Sequence, residues 1–373
     1  MGNNVGIITF HKSYNCGSMM QTFALQTVIK KLGHNPKILN FSNLGQQRLY
    51  RTLFPVNSIK NIVKNVILLP HKSKIDNNNR AYERFISENL IVDGKVINNM
   101  GDLSDDPFDI IVTGSDQVWN VTIEDGDLAY FLPWVKKAKK VAYAPSFGAK
   151  NPAKYAEDPR QIANLLKDID FLSIRENNGK DWIKDLVGVD AEVVLDPTLL
   201  LVKEDYESLE ANLSGMPSEY IFYYSPGFSS EINDLIEAIS EKYKLPVIAF
   251  SAKSYYIKGM NFTSSFALPE YENPSVYLSL IKNASMVFTT SFHGTIFSIL
   301  YGKVFWTVKN GGMFGDDDRV RTLLNMLELN DRLCAIEYDN QFDYRSEPNW
   351  DAIYSKLHDN RLHSMKWLEA ALR

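Results

Sequence analysis

Val5-Gly-Ile-Ile-Thr-Phe10, a loop holding Asn15 and Gly17, a helix-patterned stretch from Ser18 to Gly33, and Pro36 to Asn40 decide the fold class. The first run has the length and branched aliphatic content of a buried strand. Ser18 is of a residue type that caps helices, Met20, Phe23, Ala24, Val28 and Leu32 form an apolar stripe, and Gly33 supplies a stop. Pro36 to Asn40 returns as a second strand. This is a βαβ unit, whose first loop brings backbone N–H groups to the C-terminal edge of a sheet, where open α/β sheets bind ligands.

The alternation continues outward. Phe108 to Thr113, Lys140 to Ala144, Phe171 to Ile174 and Val193 to Leu195 read as further buried strands of one mostly parallel sheet. Residues from about 42 to 100 are polar, basic and helical in tendency, with breaks at Pro70 and Asn77-Asn78-Asn79, and read as a helical insertion. An acidic, polar stretch from Lys203 to Ser218, with Gly215 and Pro217, separates this half from a second one. There strands at Tyr220 to Tyr224, Val247 to Phe250, Met286 to Thr289 and Val304 to Thr307 alternate with helices at Glu231 to Lys244, Ser275 to Lys282, Thr295 to Leu300 and Arg319 to Leu327. A chain of 373 residues exceeds what one hydrophobic core usually serves. The expected organisation is an N-terminal α/β lobe over 1–202 with an insertion at about 42–100, a C-terminal α/β lobe over 203–348, and a last helix within 349–373 packing back across the lobes.

Composition removes several classes of function. A net charge of −5 without a concentrated basic stripe argues against nucleic acid as a partner; Lys136-Lys137 and Lys139-Lys140 read as a solvated strand edge. Two cysteines far apart, Cys16 and Cys334, fit free thiols in a reducing compartment. The start, Met1-Gly-Asn-Asn, runs directly into the first strand with no basic segment and apolar core of an export signal, so the expected location is the cytoplasm. No apolar run approaches the roughly 20 residues that span a bilayer. Ile62 to Pro70 is locally apolar, which leaves peripheral contact with the inner face of the membrane open.

Four stretches carry candidate chemistry. Met286-Val-Phe-Thr-Thr-Ser-Phe-His293-Gly294-Thr295 puts a histidine, a glycine and hydroxyls where a buried strand turns into a helix. Ser291 and Thr295 can cap that helix, and its N-terminus attracts a phosphate or carboxylate. His293 is there either a structural histidine or a proton-transfer group, and its place at the turn favours the second. Ile110-Ile-Val-Thr-Gly114-Ser115-Asp116-Gln117-Val-Trp119 likewise follows a strand. Asp116 either orients or deprotonates a sugar hydroxyl or merely closes an Asx-turn, and Trp119 reads as a core aromatic before a sugar platform. Arg175, in Ser173-Ile-Arg175-Glu176, either grips an anion or pairs internally with Glu176 or Asp196. Asp316-Asp317-Asp318 invites a metal reading, but acids ahead of a helix are more simply partners of its dipole, while Arg319 and Arg321 are candidate anion ligands. Walker loops, a dinucleotide-binding glycine fingerprint and clustered Cys/His metal sets are absent from the sequence.

Six motifs in order, Asn15-x-Gly17-x-x-x-Gln21, Gly114-Ser-Asp-Gln-Val-Trp119, Ala144-x-Ser146-Phe-Gly148, Ser173-x-Arg175-Glu176, Asp196-Pro197-Thr198 and Ser291-Phe-His-Gly-Thr295, resemble the polysaccharide pyruvyl transferase family over nearly the whole chain. The resemblance implies a GT-B-like fold of two Rossmann-like lobes with the active site in the interdomain cleft. It implies transfer of a pyruvyl group from phosphoenolpyruvate to hydroxyls of a glycan or lipid-linked sugar, forming a ketal, with no further cofactor and no metal. Catalytic roles then fall to His293, Asp116 and Arg175, and substrate binding to Asn15, Gly17, Gln21, Ser115, Gln117, Ser146, Ser291, Gly294, Thr295 and Arg319. Which of His293 and Asp116 is acid and which is base stays open. Ser18 stands where many relatives carry an acidic residue. A nucleotide-sugar glycosyltransferase on the same plan and a non-catalytic subunit of glycan assembly are the alternatives.

Overall fold

The computed structural model describes residues 2–309 and 318–373, which divide into two compact units. The first comprises residues 2–50, 86–201 and 355–373. Its sheet contains β1 (Asn4–Ile8), β2 (Asn35–Phe41), β3 (Val92–Ile97), β4 (Ile110–Thr113), β5 (Lys139–Ala142), β6 (Phe171–Ile174) and β7 (Glu192–Val193). All pairings are parallel, in the order β3-β2-β1-β4-β5-β6-β7. The chain moves outward in both directions from β1 and β4, so this neighbouring pair is the topological switch point, and the loops after those two strands are where a ligand is expected.

The second unit comprises residues 51–85, 202–309 and 318–354. It contains β8 (Ile221–Tyr224), β9 (Val247–Phe250), β10 (Met286–Thr289), β11 (Phe305–Val308) and β12 (Leu333–Cys334), again all parallel, in the order β12-β11-β10-β8-β9. Here the switch point lies between β8 and β10. Both sheets are thus of the doubly wound, Rossmann-like kind that the alternating pattern predicts. Five of their strands are buried from end to end: all four residues of β4, β8, β9, β10 and β11 are buried.

Several sequence expectations are corrected. The first long helix runs Cys16–Lys31 and is capped by Asn15, whose Oδ1 accepts from the backbone N–H of Gly17 at 2.9 Å and Ser18 at 3.3 Å. Ser18 therefore sits inside the first turn, free to point its hydroxyl elsewhere. The stretch 42–100 is not uniformly helical: after helices Leu44–Leu49, Ile59–Leu68 and Lys72–Asn89 it ends in edge strand β3, whose half-exposed residues hid it from an apolar pattern. Residues 51–85 group with the second unit rather than the first. The reason is a buried polar clasp: Asn78 Nδ2 donates to Glu272 Oε2 and Glu272 N donates to Asn78 Oδ1, both at 3.0 Å, while Lys74 Nζ donates to the Pro269 carbonyl at 2.7 Å. The last helix, Trp350–Ala371, begins in the second unit and from residue 355 belongs to the first, where Leu195 N donates to Ser364 Oγ and Arg361 Nε donates to the Leu199 carbonyl.

Candidate active site

In the first unit, the loop after β4 is built from below. Gly114 has φ +109°, and a side chain there would run into the Tyr143 carbonyl, where a Cβ would come within 2.2 Å, so only glycine fits. Ser115 is fully buried: its N–H donates to Gln21 Oε1 at 3.0 Å, and its hydroxyl lies 2.6 Å from the Ala144 carbonyl and 3.1 Å from Asp196 Oδ2. The amide of Gln21 is spent on Thr9 Oγ1, the Ser18 carbonyl and Thr22 Oγ1. Gln21 and Ser115, expected to touch substrate, are instead the internal frame of the loop, because both are sealed from solvent with their polar atoms matched.

That frame presents Asp116. Its backbone is left-handed, φ +76°, held there by Ser146 N donating to the Asp116 carbonyl at 2.8 Å. Asp116 Oδ1 accepts from the Gln117 N–H at 2.8 Å and Oδ2 accepts from Ser18 Oγ at 2.5 Å. Ser18, Asp116 and Gln117 thus stand together at the β1/β4 switch point. Ser146 is buried, its hydroxyl accepting from Gly148 N, and Asn120 Nδ2 donates to Gln117 Oε1 at 3.1 Å. Trp119 is fully buried, stacked on Phe131 and donating to the Tyr130 carbonyl, a core residue as the sequence favours.

Arg175 resolves toward an internal ion pair. Its Nη1 donates to Asp196 Oδ2 at 2.7 Å, and Nη2 lies 3.8 Å from Asp116 Oδ1. Asp196 Oδ1 in turn accepts from Thr198 N and Thr198 Oγ1. With 3 % of its surface exposed, the guanidinium holds the Asp116 loop in place from beneath.

The sequence reading misses Asp125. Burial pushes its carboxyl up to about 6, and the negative field of Asp116 and Glu124 acts in the same direction. Asn43 fixes this segment by donating from Nδ2 to the Asp125 and Gly126 carbonyls, each at 3.2 Å. The half-buried cation Lys12, in the loop after β1, also escaped the sequence reading. No local motif marks either residue; Asp125 gains its significance from the charge of Asp116 acting on it, and Lys12 from following β1, the neighbour of β4.

In the second unit, His293 lies within the helix Phe292–Leu300, one turn earlier than expected, and Ser291 is the cap. Ser291 Oγ is 3.5 Å from Gly294 N, Ser291 N donates to Thr289 Oγ1 at 3.0 Å, and Thr289 Oγ1 donates to the Tyr224 carbonyl at 2.8 Å. Ser225 and Thr290 hydroxyls meet at 3.0 Å, joining the loops after β8 and β10 across the switch point. Gly294 is required by close approach, since a Cβ would come within 2.3 Å of Thr289 Oγ1. Thr295 is buried and its hydroxyl meets Thr307 Oγ1 at 2.6 Å, so it anchors the helix to β11. His293 is 7 % exposed and rests edge-on to Phe292 at the positive end of the helix dipole.

Arg319 is 6 % exposed at the start of helix Asp318–Met326, which packs against the His293 helix. Asp318 opens that helix and accepts from Thr322 Oγ1 at 3.2 Å, in keeping with a first-turn role. Asp316, Asp317 and the glycine-rich loop before them lie outside the described residues. Among the described residues, no three His, Cys, Asp or Glu side chains are grouped to hold a metal ion, and no helix is long and apolar enough to cross a membrane.

These features define an α/β protein of two parallel doubly wound sheets, each with a polar loop and a helix N-terminus at its switch point. The family model for polysaccharide pyruvyl transferase matches residues 15–312, and the chain belongs to that family of enzymes. No curated protein matches it. Among solved structures it is similar to UDP-GlcNAc 2-epimerase from Methanocaldococcus jannaschii, at 11% identity and TM-score 0.48, with 96% of this chain and 92% of that chain covered. It is also similar to UDP-GlcNAc 2-epimerase from Neisseria meningitidis, at 10% identity and TM-score 0.43, covering 97% and 99%. A third similar structure is E. coli ADP-heptose lps heptosyltransferase II, at 11% identity and TM-score 0.39, covering 97% and 99%.

Proposed function

We propose that this chain transfers the pyruvyl group of phosphoenolpyruvate to two hydroxyls of a cell-surface or exopolysaccharide sugar. The observation that carries the reading is the pair of switch-point arrangements, a carboxylate on one and a histidine at a helix N-terminus on the other, within a chain matched to the family over residues 15–312. The reaction adds a proton to the methylene carbon of phosphoenolpyruvate, making it a methyl group. One sugar oxygen adds to the adjacent carbon, phosphate leaves, and a second sugar oxygen closes the ketal. Of the two hydroxyl protons released, one balances the new methyl hydrogen and the other leaves with phosphate.

His293 serves as the acid for the methylene carbon, and Asp116 orients the acceptor hydroxyl and takes its proton, with Ser18 setting the carboxylate's direction. The opposite assignment of acid and base is the second form of the same proposal. The helix N-terminus at Ser291 to Thr295 and the cation of Arg319 suit the two anionic groups of the donor. Arg175 acts as a positioning residue, through Asp116. The scheme takes a free acceptor or one lipid-linked at the inner face of the membrane, since both present the same hydroxyl chemistry. The test is phosphate release from phosphoenolpyruvate over a panel of glycosides and lipid-linked sugars. Acceptor-dependent release, reduced about 100-fold or more in His293→Ala, is the expected result. Release with no acceptor of the panel, together with turnover of a nucleotide sugar, would replace this reading with a glycosyltransferase.

A further inference from the structure

The helix Ile59–Leu68 is amphipathic the wrong way round. Ile59, Ile62, Val63, Val66 and then Leu69 recur at helical spacing, which in a globular protein is the face turned to the core. Here that stripe faces solvent: Ile59 is 81 % exposed, Val63 52 %, Val66 61 % and Leu69 56 %. Val56, in the preceding turn, is 75 % exposed. Isolated exposed aliphatic residues are ordinary, but seven within 14 residues on and beside one helix, Ile62 and Ile67 included, form a patch that requires an explanation.

The polar face, by contrast, is the one used inside. Asn65 Oδ1 accepts from Phe54 N at 2.8 Å and its Nδ2 donates to the Phe54 carbonyl at 2.9 Å. Asn61 Nδ2 donates to the Pro55 carbonyl at 3.1 Å and to Asn57 Oδ1 at 2.9 Å. Lys64 and Lys253 both place their ammonium groups over the Phe54 ring, at 4.7 and 4.2 Å, and Leu68 is fully buried. The helix is therefore anchored through its asparagines and cannot roll its aliphatic stripe inward without breaking these bonds. Ser58 caps its start, accepting from Asn61 N at 3.2 Å, so the helix is complete without its apolar face being covered.

Charge selects the occupant. The helix itself carries Lys60 and Lys64 and no acid stands among residues 51–75, in a chain whose net charge is −5; further along, Lys72 is paired with Asp76 and Lys74 is held by the Pro269 carbonyl. A second copy of this chain would bring a like-charged surface to the same patch, whereas an anionic bilayer would attract it. Exposed branched aliphatics on one side of a helix and lysines around it are the makeup of a helix lying in the plane of a membrane surface. We propose that the helix Ile59–Leu68 and the turn before it form a docking surface for anionic phospholipid bilayers. This does not rest on the transferase reading, since it needs no substrate. It brings the second unit to a lipid surface, where a lipid-linked acceptor would be concentrated.

The test is flotation of the full-length protein with vesicles of phosphatidylcholine alone and of phosphatidylcholine mixed with phosphatidylglycerol. Binding to the mixed vesicles, weakened by added salt and reduced about tenfold or more by the double substitution Ile62→Glu/Val66→Glu, is the expected outcome. Lys60→Glu should weaken binding to the anionic vesicles and leave the weak binding to neutral ones unchanged. Both variants alter exposed positions, and unchanged circular dichroism and thermal unfolding would show them folded. Equal flotation of the folded double variant and the parent would overturn the proposal. So would failure of the parent to float with either vesicle. A parent dimer in sedimentation velocity that the double variant abolishes, without vesicle binding, would assign the surface to self-association instead.

Discussion

The loop around Asp116 and the turn around His293 occupy equivalent places in their sheets but are made in opposite ways. The first is a dense polar lattice in which Thr9, Gln21, Ser115, Arg175, Asp196 and Thr198 satisfy one another beneath a single carboxylate. The second is tied by short hydroxyl bonds of Thr289, Thr290, Ser291 and Thr295 to its own strands, and its histidine lies in the first turn of a helix whose fit to β10 depends on one glycine. A buried lattice fixes direction, because every member loses its partner if one moves. A helix end supplies a field, which depends on the backbone and tolerates variation in side chains. The difference suits one region to orient a hydroxyl and the other to receive an anion.

The comparison can be broken at the lattice first. Arg175→Met removes the cation from between Asp196 and Asp116 and leaves buried carboxylates without it. Denaturant unfolding should show a loss of about 3–5 kcal/mol, and a loss under about 1 kcal/mol would mean that the ion pair does not hold the loop. Asp125 sharpens the same point through pH. Its carboxyl is raised from 3.8 to about 6, so the folded state holds the proton more tightly than the unfolded state. The stability tied to that proton is complete below pH 3.8 and is lost as the pH rises through about 6. Asp125→Asn should therefore match or fall below the parent in acid and exceed it by on the order of 2 kcal/mol at neutral pH. Thermal unfolding across that range measures it, and a difference independent of pH would contradict the assignment. On the other side of the comparison, Gly294→Ala forces a methyl group against Thr289 and should cost about 1–3 kcal/mol. It should also displace the His293 turn, lowering activity while leaving the spectrum of the folded protein unchanged.

Much of this was legible in the sequence because buried parallel strands write themselves as short apolar runs. Val247 to Phe250 and Met286 to Thr289 were located to the residue. Strand β3, with Gly94 and Lys95 exposed at a sheet edge, carries no such run, and β12 has two residues. Local sequence does not decide the cap, because Asn15 and Ser18 are both capping types, three residues apart. What decides between them is that Ser18 has a better partner in Asp116, 98 residues away. Contacts of that range also explain why local sequence does not assign residues 51–85 to the second unit: Asn78 and Glu272 are 194 residues apart. For the site, residue types and their position after strands pointed to Asp116, Arg175 and His293. They did not show which polar groups are consumed internally, because Gln21 and Ser115 are as hydrophilic as any substrate ligand until their burial is known.

The most direct test of the central claim is transfer of label from phosphoenolpyruvate carrying ¹³C at its methylene carbon, run in deuterium oxide with a glycan acceptor and followed by NMR. Pyruvyl transfer predicts a ¹³C methyl group bearing one deuteron, attached to a quaternary carbon of the glycan, and its loss in His293→Ala. Label that stays in phosphoenolpyruvate, while the acceptor is modified at the expense of a nucleotide sugar, would contradict the account.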